Sequence, residues 1–186
     1  ADFLQAPPNI IDSPVFAFMR ALFEFKKPIV AAVAGPAVGI GTTLLLHCDL
    51  VYVSCTAKLK MPFVSLGLCP EFLPRMLGHA KAAELLLLGE PFTGAQAAQW
   101  GIANAALEDG AATLAKAREM ALRFSQLPPS AVAASKRLMQ TPGREELYRV
   151  ILEEGELFAQ RLRTPEAIEA LSAFMQRRPA DFSKFV

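Results

Sequence analysis

The segment 28–48 constrains the fold more than any other part of the sequence, because it carries no charged side chain when His47 is neutral. A charge-free segment of this length is long enough to cross a membrane. However, glycines and a proline interrupt this one, and it runs directly into Asp49. We therefore interpret it as a buried strand, a glycine-rich turn and a short helix enclosed by protein, and we expect no membrane span.

The composition narrows the classes of protein to which this chain can belong. Its 186 residues suffice for one domain with a substantial core, or for a small domain with an appendage. Lysine and arginine number 19 against 18 aspartates and glutamates, so no charge excess indicates nucleic acid or an anionic membrane as a partner. Hydrophobic residues make up 53%, which excludes disorder and leads us to expect that part of the surface contacts another subunit.

The cysteines and histidines do not indicate a metal or redox site. Cys48, Cys55 and Cys69 are an odd number without a C-x-x-C pair, and the two histidines have no partner at ligand spacing. We interpret the cysteines as small buried apolar residues in a reducing compartment. We therefore expect no metal.

The hydrophobic patterning predicts an α/β part followed by an all-helical part. Apolar and β-branched runs alternate with helical periodicity in the first third, which favours an α/β layer. The predicted elements there are a helix over 14–25 capped by Asp12 or Ser13, strands over 29–33, 50–54 and 58–61, and a helix over 42–47. The later predicted elements are helices over 80–88, 94–100, 111–126, 130–140, 145–163 and 165–176, and a short strand over 102–107.

The glycine-rich turn 35–41 has two interpretations. It is not a phosphate-binding loop, since Leu44 replaces the third glycine of a dinucleotide fingerprint and no P-loop lysine follows. A turn between a strand and a helix leaves unpaired N–H groups at the helix N-terminus, and the N–H of Ile40 would be a good donor to a developing oxyanion. Alternatively, the segment is an ordinary tight turn in which glycine supplies a positive φ.

Glu71 is the strongest candidate for proton transfer. Nearly all of its neighbours within 62–74 are apolar, so we expect a partly desolvated carboxylate whose pKa is raised towards that of a general base. Alternatively, Glu71 is a solvated residue in the first turn of a helix, where the helix dipole favours it.

A series of short motifs follows in order along almost the whole chain. It consists of 28–41 (PIVAAVAGPAVGIG), 48–52 (CDLVY), Pro62-Phe63, Leu66-Gly67, the helix over 82–89, 92–101 (FTGAQAAQWG) and Phe174-x-x-Arg177-Arg178. Taken together, the series resembles the crotonase superfamily of enoyl-CoA hydratases and isomerases. The resemblance implies an α/β fold, a spiral of ββα turns followed by a helical trimerisation region.

The resemblance also implies how the chain is divided. Residues 1–110 would be the C-terminal part of the spiral core, with the family's N-terminal quarter, which carries a second oxyanion donor, expected upstream of residue 1. Residues 111–186 would be a helical oligomerisation region that builds a homotrimer or hexamer.

Two positions distinguish the branches of this superfamily. Hydratases carry two glutamates that hold the added water, and the matching residues here are Thr43 and Phe63. The peroxisomal-type Δ3,Δ2-enoyl-CoA isomerases instead place one glutamate in the context Leu-Gly-x-x-Pro/Thr-Glu, which 66–71 resembles. The opening Ala1-Asp2-Phe3 is similar to the segment after that branch's Ser-Gly-Asn-Asp-Leu loop.

The resemblance therefore implies an isomerase that shifts the double bond of a 3-enoyl-CoA in fatty-acid β-oxidation, with Glu71 and the Ile40 N–H as catalytic groups. The implied substrate-binding residues, for which core packing is the alternative, are Ala37, Val38, Gly39, Phe63, Leu66, Leu68, Pro70 and Phe72. Lys136 and Lys184 would contact the phosphates of coenzyme A or would simply be solvated. Coenzyme A enters as part of the substrate, and no separate cofactor is expected.

Two other functions stay open at this point. One is a different acyl-CoA reaction of the same superfamily, namely hydration, thioester hydrolysis or decarboxylation. The other is a non-catalytic module that binds acyl-CoA. The expected compartment is the cytoplasm if the source is a bacterium, and the peroxisome and the mitochondrion stay open as alternatives.

Overall fold

Strands and short helices alternate in the first part of the structure, and long helices make up the rest. The computed structural model describes residues 13–64 and 77–185. The first part comprises α1 (Pro14–Glu24), β1 (Val30–Val33), β2 (Ala37–Val38), α2 (Ile40–Thr43) with a 3₁₀ turn (Leu44–His47), β3 (Leu50–Ser54), β4 (Lys58–Lys60), α3 (His79–Ala83) with a π-helical turn (Glu84–Leu88), β5 (Phe92–Thr93), α4 (Gly94–Gln99) and β6 (Ala105–Leu107). The second part comprises α5 (Gly110–Ser125), α6 (Pro129–Gln140), α7 (Arg144–Arg161), α8 (Pro165–Met175) and a 3₁₀ turn (Ser183–Phe185). None of the described helices is both long and apolar enough to span a bilayer.

The described strands form two small sheets. The first has the order β1-β3-β6 with parallel pairing, in which Val30 faces Leu50 and Tyr52 faces Ala105. In the second, β4 pairs in parallel with β2 and antiparallel with β5. Helix α5 covers the first sheet by packing on β1 and β3. The carboxyl end of β1 leads within a few residues into β2, so the chain passes from one sheet to the other at the glycine-rich turn.

The main core lies between the sheets and the short helices. Its fully buried side chains include Val53, Leu59, Met61 and Leu85. A second, smaller cluster surrounds Leu162 in the helical part, where the partly buried side chains packed against it are Phe16, Phe63, Phe158, Ala159 and Leu171. Phe63 packs against both clusters, so it connects the α/β part to the helices.

Most of the predicted elements are confirmed, and the differences have local causes. Ser13 caps α1 by accepting the Phe16 N–H. The strands β2 and β5 were not predicted, because two-residue strands show no periodicity. The helix predicted over 42–47 begins earlier, at Ile40, and tightens into 3₁₀ geometry at Leu44.

A buried ion pair joins the first sheet to the helical part. Lys136 on α6 has a side chain that is only 5% exposed, and its ammonium donates to Oδ2 of Asp49 at 2.7 Å and to the carbonyl of Lys27 at 2.7 Å. The same Oδ2 accepts the Ile29 N–H at 2.7 Å. Asp49, which directly precedes β3, thereby joins the residue before β1 to helix α6.

This geometry corrects the expectation that Lys136 contacts the phosphates of coenzyme A. Its ammonium is enclosed by protein and is held by a carboxylate and a carbonyl, so it is not available to a phosphate at the surface. Its partner Asp49 lies 87 residues earlier in the chain, a separation that local sequence patterns do not reveal.

The residues after α8 are held by a second, more exposed ion pair. The Arg178 guanidinium donates to both carboxylate oxygens of Glu169, at 2.5 and 3.0 Å, and the Asp181 N–H donates to the same carboxylate at 3.0 Å. These hydrogen bonds, that of Arg178 above all, lower the pKa of Glu169 to about 2. Arg178, which belongs to the motif Phe174-x-x-Arg177-Arg178, therefore holds the residues that follow α8 against that helix.

We predict that Asp49→Ala destabilises the protein much more than the loss of an exposed carboxylate does. The substitution leaves the Lys136 ammonium buried without its carboxylate, which costs about 3–5 kcal/mol in comparable buried pairs. Glu153→Ala is the matched control, since the Glu153–Arg149 pair spans 3.2 Å and both of its side chains are more than half exposed. Such exposed pairs contribute about 0.2–1 kcal/mol. Urea unfolding followed by circular dichroism measures both variants, and equal losses would contradict this assignment.

Candidate active site

The glycine turn is closed by backbone hydrogen bonds around Gly39. This residue has φ +59° and ψ −124°, a conformation that side-chain-bearing residues rarely adopt. Its N–H donates to the Lys60 carbonyl on β4 at 2.9 Å. Its carbonyl accepts the N–H groups of Thr42 and Thr43 at 2.9 and 3.1 Å, which starts α2. The turn is therefore tied to β4 on one side and to α2 on the other.

These bonds determine the direction of the Ile40 N–H. The peptide between Gly39 and Ile40 is planar and trans, so its carbonyl and its N–H point in opposite directions. Because the carbonyl points into α2, the N–H points out of the N-terminal end of that helix. As the first helical residue, Ile40 has no acceptor for this N–H within α2.

Apolar side chains flank this N–H. Val38 is 54% exposed and Ile40 is 40% exposed, whereas Ala37 between the sheet and the turn is buried. A Cβ placed on Gly39 would meet no heavy atom of the described residues within 4 Å, apart from its two chain neighbours, so none of these residues covers the turn at this point. A hydrogen-bond donor set among exposed apolar side chains suits the carbonyl oxygen of an otherwise apolar acyl group.

The two positions that distinguish the branches lie in different surroundings. Thr43 is half-buried in α2, directly beside the turn. Phe63 is half-buried as well, but it packs against both core clusters, which supports the packing alternative considered for it. Neither side chain can exchange a proton with a substrate at neutral pH.

Several of the expected site residues fall outside the described residues. They are Leu66, Leu68, Pro70, Glu71 and Phe72, and their roles stay predictions. Lys184 lies within the described part, in the last 3₁₀ turn, with a 65% exposed side chain and its ammonium 3.8 Å from Asp181. Its proposed contact with coenzyme A also stays a prediction.

Thr42 is a residue to which the sequence analysis assigned no role. Its side chain is 1% exposed, and its hydroxyl lies within hydrogen-bonding distance of the carbonyls of Ala37 and Lys60. The sequence does contain a signal for this role. A threonine in a charge-free, enclosed helix has a buried hydroxyl, and a buried hydroxyl needs a hydrogen-bond acceptor.

The cysteines and histidines do not form a metal site in the described part of the chain, where no group of three potential ligands occurs. Cys48 donates to the Leu44 carbonyl, and burial together with the charge of Asp49 raises the pKa of its thiol to about 11. Burial lowers the pKa of His47, which keeps this side chain neutral at pH 7. Protonated thiol and neutral imidazole both agree with a structural role.

We predict that Gly39→Ala destabilises the protein while Gly35→Ala does not. Neither added methyl group meets a heavy atom of the described residues within 4 Å beyond its chain neighbours, and of these two glycines only Gly39 has a positive φ. The strain of such a conformation costs about 1–3 kcal/mol in a residue with a side chain. Chemical denaturation of both variants isolates this backbone effect from packing. Equal stabilities would show that the turn relaxes without cost.

Comparison with known proteins places the chain in a family. The sequence model described as enoyl-CoA hydratase/isomerase matches residues 4–184. Enoyl-CoA delta isomerase 2 of Rattus norvegicus is 35% identical over 167 residues, which cover 87% of this chain and 42% of the rat protein. The "Probable enoyl-CoA hydratase" of Bacillus subtilis (strain 168) is 31% identical over 169 residues, which cover 88% of this chain and 66% of that protein. The chain thus spans less than two thirds of the length of either relative.

A solved structure gives the same result. That of OdaA from Pseudomonas aeruginosa matches with a TM-score of 0.92 and 68% sequence identity, over 95% of this chain and 73% of that chain. The family match extends over both the α/β part and the helical part, so the expected spiral of ββα turns followed by C-terminal helices is confirmed. The chain belongs to the enoyl-CoA hydratase/isomerase family and has the crotonase fold.

Proposed function

We propose that the protein is a Δ3,Δ2-enoyl-CoA isomerase, which shifts the double bond of a 3-enoyl-CoA to give trans-2-enoyl-CoA in fatty-acid β-oxidation. The observation that carries this proposal is the outward N–H of Ile40 together with the residues at the two branch positions, Thr43 and Phe63. The former suits a thioester oxygen, and the latter offer no carboxylate to hold an added water. The 35% identity to Enoyl-CoA delta isomerase 2 supports the same choice.

In the proposed reaction, the thioester oxygen accepts a hydrogen bond from the Ile40 N–H. Glu71 removes a proton from C2 of the substrate, and the electron pair of that C–H bond moves into a thioester enolate. The protonated Glu71 then returns the proton to C4, so the double bond moves from C3–C4 to C2–C3 and no atom is gained or lost. One donor of this kind contributes about 2.7–4 kcal/mol to the stability of such a transition state.

The number of proton-transfer groups separates isomerisation from hydration. A proton shift along one face of the substrate needs a single carboxylate, which removes the proton and gives it back. Addition of water also needs a group that holds and deprotonates the water. Thr43 and Phe63 cannot do this, so Glu71 alone fits the first reaction better than the second.

Hydration stays the second candidate because the Bacillus subtilis relative carries the name of a hydratase. The two reactions give products of different mass, since a hydrated product contains one more water. Mass spectrometry of the products formed from 3-enoyl-CoA and 2-enoyl-CoA substrates distinguishes them directly.

We predict that Glu71→Gln lowers isomerase turnover by about 10²–10⁴-fold, the usual contribution of a general base. Binding of a saturated acyl-CoA should be retained, because glutamine keeps the size and polarity of the side chain. The matched control is Glu90→Gln, which changes an exposed loop carboxylate and should leave turnover unchanged. Steady-state kinetics with the intact protein measures both. Unchanged turnover in Glu71→Gln would refute the proposed function.

The division of the chain and its assembly are proposals as well. We propose that 111–186 form the oligomerisation region of a homotrimer or hexamer. The support is a set of strongly exposed apolar side chains on the described C-terminal helices, namely Leu122, Leu138, Met139, Phe174 and Met175.

We predict that Met139→Lys and Phe174→Glu lower the oligomeric mass, because a charge placed in an apolar interface loses its hydration. These two side chains are 81% and 74% exposed in the single chain. Leu88→Glu is the control, since Leu88 is similarly exposed, at 68%, but lies within 1–110. Light scattering measures the mass, and circular dichroism verifies folding. A monomeric parent protein would rule out the proposed assembly.

A further inference from the structure

The Thr42 hydroxyl occupies a junction of three elements. It donates to the Ala37 carbonyl on β2 at 2.6 Å, and the Lys60 carbonyl on β4 lies 3.2 Å from the same oxygen. Thr42 itself belongs to α2, so one side chain connects the first turn of that helix to both strands. With 1% of its surface exposed, this hydroxyl has no access to bulk water as an alternative partner.

Backbone and side-chain hydrogen bonds hold the turn around Gly39. Strand β2 pairs with β4 at only two positions, Ala37 with Leu59 and Val38 with Lys60. No described side chain packs within 4 Å of the space over Gly39. The Lys60 carbonyl accepts the Gly39 N–H, so the backbone of the turn and the Thr42 side chain converge on one carbonyl.

We propose that Thr42 is a positioning residue that fixes the direction of the Ile40 N–H. The peptide plane that contains this N–H is held at its carbonyl end by the backbone N–H groups of Thr42 and Thr43. A rotation of this plane must therefore displace Thr42, whose side chain is anchored to β2 and β4. The proposal rests on the proposed function in one respect, namely that the Ile40 N–H binds the thioester oxygen.

Valine is the informative replacement, since it has nearly the shape of threonine without the donor. In Thr42→Val, the carbonyls of Ala37 and Lys60 lose the hydroxyl, and the turn can reorient. We expect kcat to fall at least 10-fold and KM to change less than 3-fold. The upper bound is the ~10²–10³-fold loss that follows removal of a whole oxyanion donor. Thr42→Ser keeps the donor and should recover most of kcat.

A spectroscopic measurement separates positioning from simple stabilisation of the fold. A saturated acyl-CoA carrying ¹³C at the thioester carbonyl shows a lowered carbonyl stretching frequency when a donor binds its oxygen. We expect this shift in the parent protein and in Thr42→Ser, and a smaller shift in Thr42→Val. Thr113→Val is the matched control, because Thr113 is also fully buried and its hydroxyl also donates to a carbonyl, that of Asp109. Thr113 lies on α5 and not at the glycine turn, so its replacement should leave the frequency unchanged.

The result that overturns the proposal is a carbonyl frequency and a kcat in Thr42→Val equal to those of the parent protein, or a loss that serine does not restore. If Thr42→Val does not fold, Thr42→Cys replaces it, since a thiol is a weaker donor of similar size. A frequency in Thr42→Cys equal to that of threonine would then overturn the proposal. The infrared measurement needs binding but no isomerisation, so it tests Thr42 even if Glu71→Gln turns out to be fully active.

Discussion

The α/β part depends most on the two interactions of the Asp49 carboxylate, with the Ile29 N–H and with the Lys136 ammonium. Asp49 directly follows the charge-free segment, and its Oδ2 returns to the start of that segment by accepting the Ile29 N–H. The same oxygen holds the buried ammonium of Lys136. A buried ion pair is weak evidence for stability, because its desolvation offsets much of the attraction. Its consequence here is geometric, since it closes the segment into a loop and attaches the loop to α6.

Between these fixed ends, the chain has few polar side chains with which to direct its backbone. Apolar packing is non-directional, so it determines which side chains are buried but not where a particular N–H points. The Thr42 hydroxyl and the Gly39 N–H supply that direction by binding carbonyls of β2 and β4. Two polar anchors, at Asp49 and at Thr42, therefore position a candidate site built from an otherwise apolar segment.

The sequence predicted what depends on neighbouring residues and missed what depends on distant ones. Caps such as Ser13 and Thr93 bind N–H groups three residues away, so their helices could be placed from local patterns. The two-residue strand β2 is defined by its pairing with β4, and it is too short for a hydrophobic periodicity that would predict it. Lys136 looks like a surface lysine until its partner Asp49 is known. The Gly39 turn was anticipated as a source of free N–H groups, whereas the hydroxyl that anchors it was not.

Members of this family are named both as hydratases and as isomerases, and the geometry of the turn explains why similarity alone does not separate them. Both reactions pass through a charged thioester oxygen, so both benefit from the same backbone donor. The glycine turn and the strands that hold it therefore serve either reaction. The two reactions differ in whether side chains are present that can hold and deprotonate a water molecule. Only two positions in a hydratase sequence supply such side chains. In the proposed assignment, the choice between isomerisation and hydration thus depends on Thr43 and Phe63, which replace the two carboxylates of a hydratase, and not on the much larger part of the fold that the relatives share.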